Sequence, residues 1–198
     1  MQRVSSRAAI ARFAAATVVA GLSVAAVTTP GRADAVDGVS IELGGSTSSL
    51  TDLQVSRLGI QWKWNRRLLE SGGGYLGGYW DFSVGYWRNE SDPRLRTSSS
   101  LLDIGLTPTL RWTQQWRPAL AGFVDFGIGL HWLSEDSITT LRDLSSPLQF
   151  GSVLGLGLRF GPGGEYELGY RVQHLSNGGL QQPNSGINLQ LIRFQYHF

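Results

Sequence analysis

A short segment near the end of the chain, "HLSNGGLQQPNSGIN" at residues 174–188, contains residue types that can carry out nucleophilic chemistry. Side chains two positions apart on a strand project from the same face, so His174 could take the proton of the Ser176 hydroxyl and activate it. The Asn177 side chain and the flexible backbone at Gly179 offer N–H donors for an oxyanion. A His-x-Ser pair is not specific, however, and the same residues are consistent with an ordinary polar strand end.

The acid that would complete a hydrolase triad is missing from this part of the sequence. The chain contains no Asp or Glu after Glu167, and Glu167 lies seven residues before His174 with the opposite strand parity. The residue fourteen positions after His174 is Asn188. An amide can accept a hydrogen bond from an imidazole and hold its tautomer, as in Cys-His-Asn enzymes, but it has no charge to stabilise the imidazolium.

Other residues give little support for a metal or cofactor site. The histidines His131, His174 and His197 have no metal-ligand spacing, and the chain contains no cysteine. The glycine-rich stretches "SGGGYLGG" and "GPGGEYELG" lack the lysine of a phosphate-binding loop and are predicted to be turns. Arg66 and Arg67 fit either a solvated turn or a contact with anionic lipid headgroups. We therefore predict neither a metal nor a cofactor.

The first 35 residues have the pattern of a secretory signal peptide. Arginines precede the apolar run "AAATVVAGLSVAAV", and "ADA" supplies a small-x-small cleavage site, so we predict cleavage after Ala35 and one domain at 36–198. Without the four arginines and one aspartate of this segment, the chain keeps 13 basic and 14 acidic residues. This balance gives no reason to expect a nucleic-acid partner. An exported chain without cysteine must fold without disulfides.

From residue 38 onward the chain repeats a strand pattern, in which apolar residues alternate with small or polar ones. We predict eight strands, at 38–46, 52–65, 74–88, 99–113, 119–133, 148–160, 164–177 and 186–198. The second face is rich in glycine with isolated charges such as Asp103, Arg111 and Asp125. This composition favours an eight-stranded antiparallel transmembrane β-barrel, with its apolar face toward lipid and a narrow polar interior. A soluble lipocalin-like barrel is the alternative.

Two features favour the outer membrane of a Gram-negative bacterium. Tryptophans such as Trp87 and Trp132 lie near segment ends, as in the aromatic girdles of membrane barrels. The last segment alternates up to the terminal Phe198, which is similar to the C-terminal strand of outer-membrane barrels. Outer-membrane lipids are thus expected around the barrel.

Strand parity predicts where the polar residues of the opening segment point. With an even number of strands both termini are periplasmic, so the connection between the seventh and eighth strands is extracellular. Counting by twos along these strands places His174, Ser176 and Asn188 on the lipid-facing side near the extracellular rim. Polar residues on a lipid face are costly and tend to be functional or interfacial.

The segment "HLSNGGLQQPNSGIN" resembles the signature of the lipid A 3-O-deacylases, the PagL family, in which His-x-Ser-Asn is followed by Gly, Pro-Asn and an acid. The stretch "GYWDFSVGYW" is similar to that family as well. The resemblance implies a serine esterase that removes the acyl chain at position 3 of lipid A in lipopolysaccharide. It implies Ser176 as the nucleophile and His174 as the general base. The Asn177 side chain and the Gly179 N–H are implied as the oxyanion hole.

The sequence departs from the family at the acid, because Asn188 stands where the resemblance implies a glutamate. We expect Asn188 to orient His174. Three outcomes stay open: an active deacylase, a weakened or inactive one, and a non-catalytic small barrel with a structural or adhesive role, similar to OmpX. The sequence also leaves open the acyl-chain preference and the oligomeric state, a homodimer included.

Overall fold

The structure is a computed structural model that describes residues 36–48 and 51–198, so the predicted signal peptide at 1–35 lies outside the described residues. The described residues form strands β1 (Gly38–Ser46), β2 (Leu53–Lys63), β3 (Leu68–Ser71), β4 (Gly74–Asn89), β5 (Ser100–Arg117), β6 (Leu120–Leu133), β7 (Ser137–Thr139), β8 (Arg142–Asp143), β9 (Leu148–Phe160), β10 (Tyr166–Ser176) and β11 (Ile187–His197). In the same residues, no helix is long and apolar enough to cross a membrane.

Eight of the strands close an antiparallel barrel in the order β1-β2-β4-β5-β6-β9-β10-β11, with β11 pairing back to β1. These eight correspond one to one to the predicted segments, so the predicted barrel is confirmed. The short strand β3 pairs with the start of β4, and β7 pairs with β8 in a separate hairpin. Because β3 follows β2 and β7 follows β6, these additions lie at opposite ends of the barrel.

The outer surface of the barrel is apolar. On β6, Val124, Phe126 and Leu130 are each about half exposed, whereas Asp125 and His131 on the opposite parity are buried. The same alternation of exposed and buried residues runs through β4, β5, β9, β10 and β11. A soluble barrel turns its large apolar side chains inward. This arrangement therefore fits a lipid-facing exterior, and the lipocalin-like alternative is wrong.

Ion pairs fill the middle of the barrel interior. The Arg57 guanidinium lies 2.7 Å from Asp103, and the Arg111 guanidinium lies 2.6 Å from Asp125 and 2.5 Å from Glu167. The same network continues through other buried charges, since Arg57 also pairs with Glu42 and Arg171 with Asp125; its further members are Glu42, Asp81, Arg171 and Arg193. Ions removed from water require such partners, because an unpaired charge in a low-dielectric interior is strongly destabilising. These carboxylates are thus engaged in holding the barrel together.

Apolar side chains fill the interior toward the connection between β10 and β11. Trp87, Leu175 and Leu189 point inward there and are fully buried. Ile138 and Leu144, which belong to the β7–β8 hairpin (residues 137–146), join the same cluster. The hairpin therefore packs onto this end of the barrel, directly beside the segment predicted to carry the chemistry.

Removing one cation from the interior should destabilise the barrel. We expect Arg111→Ala to lower the free energy of unfolding by about 3–5 kcal/mol, because Asp125 and Glu167 stay buried and each loses its closest guanidinium. Urea unfolding in detergent micelles measures the change. Arg117→Ala, at an exposed position beside the β5–β6 turn, serves as the matched control and should change the free energy by less than about 0.5 kcal/mol. Equal stability of the two variants would contradict the structural role of Arg111.

Candidate active site at the rim of the barrel

Two neighbouring strands position a histidine and an amide side by side on the outer surface. His174 of β10 pairs directly with Asn188 of β11 in the antiparallel register, so both side chains lie on the same face. The His174 Nδ1 atom lies 2.7 Å from the Asn188 Oδ1 atom, and both residues are exposed. With the amide oxygen toward the ring, Nδ1 carries the proton and Nε2 carries the lone pair. The imidazole is thus oriented with its basic nitrogen free.

Ser176 ends β10 on the same face, two residues closer to the rim than His174. On the β9 side, His174 pairs with Ser152 and Ser176 pairs with Phe150. The Ser176 side chain is half-buried, and within residues 36–48 and 51–198 its hydroxyl makes no hydrogen bond. The structure therefore brings His174 and Asn188 into contact and places Ser176 beside them without a bond to His174.

No carboxylate substitutes for the missing acid in the part of the chain that the structure describes. The histidines that pair with carboxylates are His131, with Asp103, and His197, with Glu167, and both lie inside the barrel. Glu167 is buried and also bonds to Arg111, in agreement with its inward parity. The site consequently relies on a neutral partner for the imidazole.

The two residues predicted to form an oxyanion hole lie in the site loop, residues 177–186, which connects β10 to β11. The buried Asn177 side chain donates through Nδ2 to the carbonyls of Leu144 and Gln181, at 2.9 and 3.0 Å. Its Oδ1 accepts the Gly179 N–H at 2.8 Å. In this conformation Asn177 holds the loop together and both donors are engaged. An oxyanion role for them requires that the loop rearrange when a ligand binds.

Gly186 lies against the His174 ring, a contact that sequence patterns do not reveal. Its φ is +55°, a conformation that L side chains rarely adopt, and a Cβ atom there would lie 2.9 Å from the His174 Cε1 atom. The glycine in "SGIN" indicates a turn, but the pattern contains nothing about this contact. Ser152 likewise lies outside the motif, because it comes from β9 and meets His174 only through strand pairing.

Arg66 and Arg67 lie at the opposite end of the barrel. Both are exposed in the connection between β2 and β3, and the Arg67 guanidinium lies 4.2 Å from the centre of the Tyr75 ring. They border a cavity of about 590 Å³ that also contacts Lys63 and Arg159. His174 and Ser176 do not line this cavity, so the candidate site is an open arrangement on the outer surface.

Comparisons with known proteins agree with this geometry. Residues 55–197 match the family model described as lipid A 3-O-deacylase (PagL). The chain is 31% identical over 131 residues to the lipid A deacylase PagL of Pseudomonas aeruginosa, covering 66% of this chain and 70% of that protein. It is 27% identical over 130 residues to the lipid A deacylase PagL of Bordetella bronchiseptica, covering 62% and 67%.

A solved structure supports the same grouping. The barrel superimposes on the crystal structure of the outer membrane enzyme PagL with a TM-score of 0.70 at 27% sequence identity, covering 81% of this chain and 99% of that chain. The region matched by the family model contains β10, the site loop and all of β11. The likeness therefore includes the segment that carries the candidate site.

Proposed function

The chain belongs to the lipid A 3-O-deacylase (PagL) family and is a β-barrel of the outer membrane, and from this we propose that it hydrolyses the ester-linked acyl chain at position 3 of lipid A in the outer leaflet. The observation that carries the proposal is the 2.7 Å contact between His174 and Asn188 on the lipid-facing side, beside Ser176. A lipid substrate stays in the bilayer, so its enzyme needs reactive groups on this outer face.

The first step forms an acyl-enzyme. The Ser176 Oγ atom attacks the ester carbonyl carbon while His174 Nε2 takes the hydroxyl proton. As the tetrahedral intermediate collapses, the bond to the sugar oxygen breaks and His174 returns its proton to that oxygen. The proposed step requires the Ser176 hydroxyl to reach Nε2 when substrate binds, since the two are not bonded in this structure. Catalytic hydrogen bonds commonly tighten in this way when substrate binds.

The second step releases the fatty acid. A water molecule gives its proton to His174 Nε2 and attacks the acyl carbon. The Ser176–acyl bond then breaks to free the carboxylic acid, and His174 returns the proton to the Ser176 Oγ atom. Negative charge on the carbonyl oxygen develops in both steps and requires N–H donors. We assign this role to Asn177 and Gly179. Substrate would have to replace the hydrogen bonds from Asn177 Nδ2 to the Leu144 and Gln181 carbonyls, and the bond from the Gly179 N–H to Asn177 Oδ1.

Asn188 acts as a neutral orienting residue in this mechanism. Its carbonyl oxygen holds the Nδ1–H tautomer of His174, which leaves Nε2 able to accept the serine proton. It cannot stabilise the imidazolium with a full negative charge. A slower reaction than that of a carboxylate-containing relative is the expected consequence.

Mass spectrometry of lipid A tests the proposed function directly. Purified protein in detergent or in outer-membrane vesicles should remove one acyl chain from lipid A. A matched lipid A that lacks the ester-linked chain at position 3 should stay unchanged, which identifies the bond. Loss of a chain from the matched substrate would assign another position, and unchanged lipid A in both samples would contradict the activity.

A further inference from the structure

The β7–β8 hairpin is bonded to the site loop at several points. The Ser145 hydroxyl donates to the Pro183 carbonyl at 2.6 Å, and the Ser185 N–H donates to the Asp143 carbonyl at 3.2 Å. These residues are about forty positions apart in sequence, and the barrel brings them together because the loop after β6 lies beside the loop after β10. The hairpin thus supports the loop from the side that faces away from lipid.

Arg142 makes the most extensive of these connections. Its guanidinium donates to the carbonyls of both Ser185, at 3.1 Å, and Gly186. It also donates to the Ser48 hydroxyl at 3.0 Å, in the connection between β1 and β2. One planar group with several fixed donors therefore joins three loops. Two consecutive carbonyls held in this way restrict the backbone conformation at the end of the site loop.

The backbone held by Arg142 is the part that contacts His174. A Cβ atom on Gly186 would lie 2.9 Å from the His174 Cε1 atom and 3.4 Å from Nε2, so this glycine lies against the ring edge that bears the basic nitrogen. Two residues later the chain reaches Asn188, which bonds the other ring nitrogen. A displacement at 185–186 would therefore move both neighbours of the imidazole.

We infer that Arg142 is a positioning residue for the hydrolytic reaction: it fixes the Ser185–Gly186 backbone and, through Gly186 and Asn188, the orientation of His174. The inference rests on the proposed function, because it gives a role to a residue that touches no reacting atom. Errors of about 1 Å in the placement of a reacting group can reduce the rate by about a hundredfold. A neutral orienting residue makes such support more important, since Asn188 holds the ring by a hydrogen bond without charge attraction.

Arg142→Gln tests the inference, with Arg96→Gln as the matched control. Arg96 also donates to a backbone carbonyl at this end of the barrel, that of Asn89 at the end of β4, at 2.8 Å, but it has no bond to the site loop. We expect Arg142→Gln to lower kcat about tenfold or more on lipid A while KM changes less than about twofold. The kcat of Arg142→Lys should lie between those of Arg142→Gln and wild type. Arg96→Gln should keep the wild-type kcat and KM.

Two further readouts separate positioning from folding. Methylguanidinium at concentrations that leave the barrel folded should partly restore the activity of Arg142→Ala and have no effect on wild type. In a double-mutant cycle, Arg142→Gln and Gly186→Ala should be less than additive, since both act on the same contact with His174.

The outcomes distinguish this inference from the proposed function. A wild-type protein that leaves lipid A unchanged would overturn the proposed function itself. An active wild type together with a fully active Arg142→Gln would overturn the positioning role alone. An increase in KM without a decrease in kcat would also overturn the positioning role. So would a decrease in activity that equals the decrease in folded protein and that methylguanidinium does not reverse.

Discussion

Replacing Ser176 by alanine is expected to lower kcat/KM for lipid A deacylation by about three orders of magnitude or more. The hydroxyl is the proposed attacking atom, and in serine hydrolases loss of the nucleophile removes most of the rate enhancement. Ser152 of β9 does not occupy the same position, since it pairs with His174 and lies two residues further from the rim than Phe150, the pairing partner of Ser176. Initial rates of fatty-acid release, followed by mass spectrometry, measure the change.

Ser56→Ala provides the matched control for this experiment. Ser56 is an exposed, outward-facing serine of β2 at the same end of the barrel as Ser176. Strand β1 lies between β2 and β11, so Ser56 is separated from the candidate site. Its variant should keep the wild-type rate. His174→Ala should lose about as much activity as Ser176→Ala, and the double variant should lose little more, because the two residues act as one unit. Continued release of fatty acid by Ser176→Ala would assign the nucleophile elsewhere.

Strand alternation predicted most of the barrel because each strand has two chemically different environments. The predicted bounds at 38–46 and 148–160 agree with β1 and β9, whereas β5 continues to Arg117, beyond the predicted end at 113. The extension, residues 114–117, contains two glutamines and an arginine beside Trp116, so the alternation of apolar residues no longer indicates the strand. The short strands β3, β7 and β8 were not predicted, since two to four residues carry too little periodicity.

Pairing between distant strands limits what a sequence pattern can predict about the interior. Glycine and isolated charges on the inner parity indicate a polar lumen. They do not indicate that Arg57 reaches both Glu42 and Asp103, because these contacts depend on the closed register of strands far apart in sequence. The apolar cluster near the rim is not predicted for a related reason. Strand alternation does not distinguish inward leucines such as Leu175 and Leu189 from the small inward residues deeper in the barrel.

Parity was equally informative about the candidate site as far as the strands extend. It placed His174 and Asn188 on one face, and the register then makes them direct partners. The strand ends at Ser176, one residue before the predicted bound at 177, and parity does not reveal that the Asn177 side chain bonds the Leu144 and Gln181 carbonyls. Arg142 carries no motif at all, and its role depends on the docking of a separate hairpin.

Replacing Asn188 by glutamate is expected to raise kcat about tenfold to a hundredfold. A carboxylate at this position would stabilise the imidazolium that forms when His174 takes the serine proton, which the amide cannot do. Two opposite charges at about 4 Å interact by about 4 kcal/mol near a protein surface, and part of this is offset by the desolvation of the carboxylate. The gain should be smaller than the roughly 10⁴-fold loss seen when a triad acid becomes an amide, because there the tautomer is also wrong. In this chain the amide oxygen already selects the productive tautomer.

Two substitutions at the same position separate charge from orientation. Asn188→Asp keeps the side-chain shape and adds only the charge, so it should also raise kcat, whereas Asn188→Ala removes the hydrogen bond to Nδ1 and should lower kcat below wild type. Increasing ionic strength should reduce the gain in the charged variants more than it changes wild type, since exposed charge pairs are screened by salt. Wild-type rates in all three variants would show that His174 needs no partner at residue 188. A higher kcat in Asn188→Glu without a lower kcat in Asn188→Ala would support the effect of the charge but refute the orienting role of the amide.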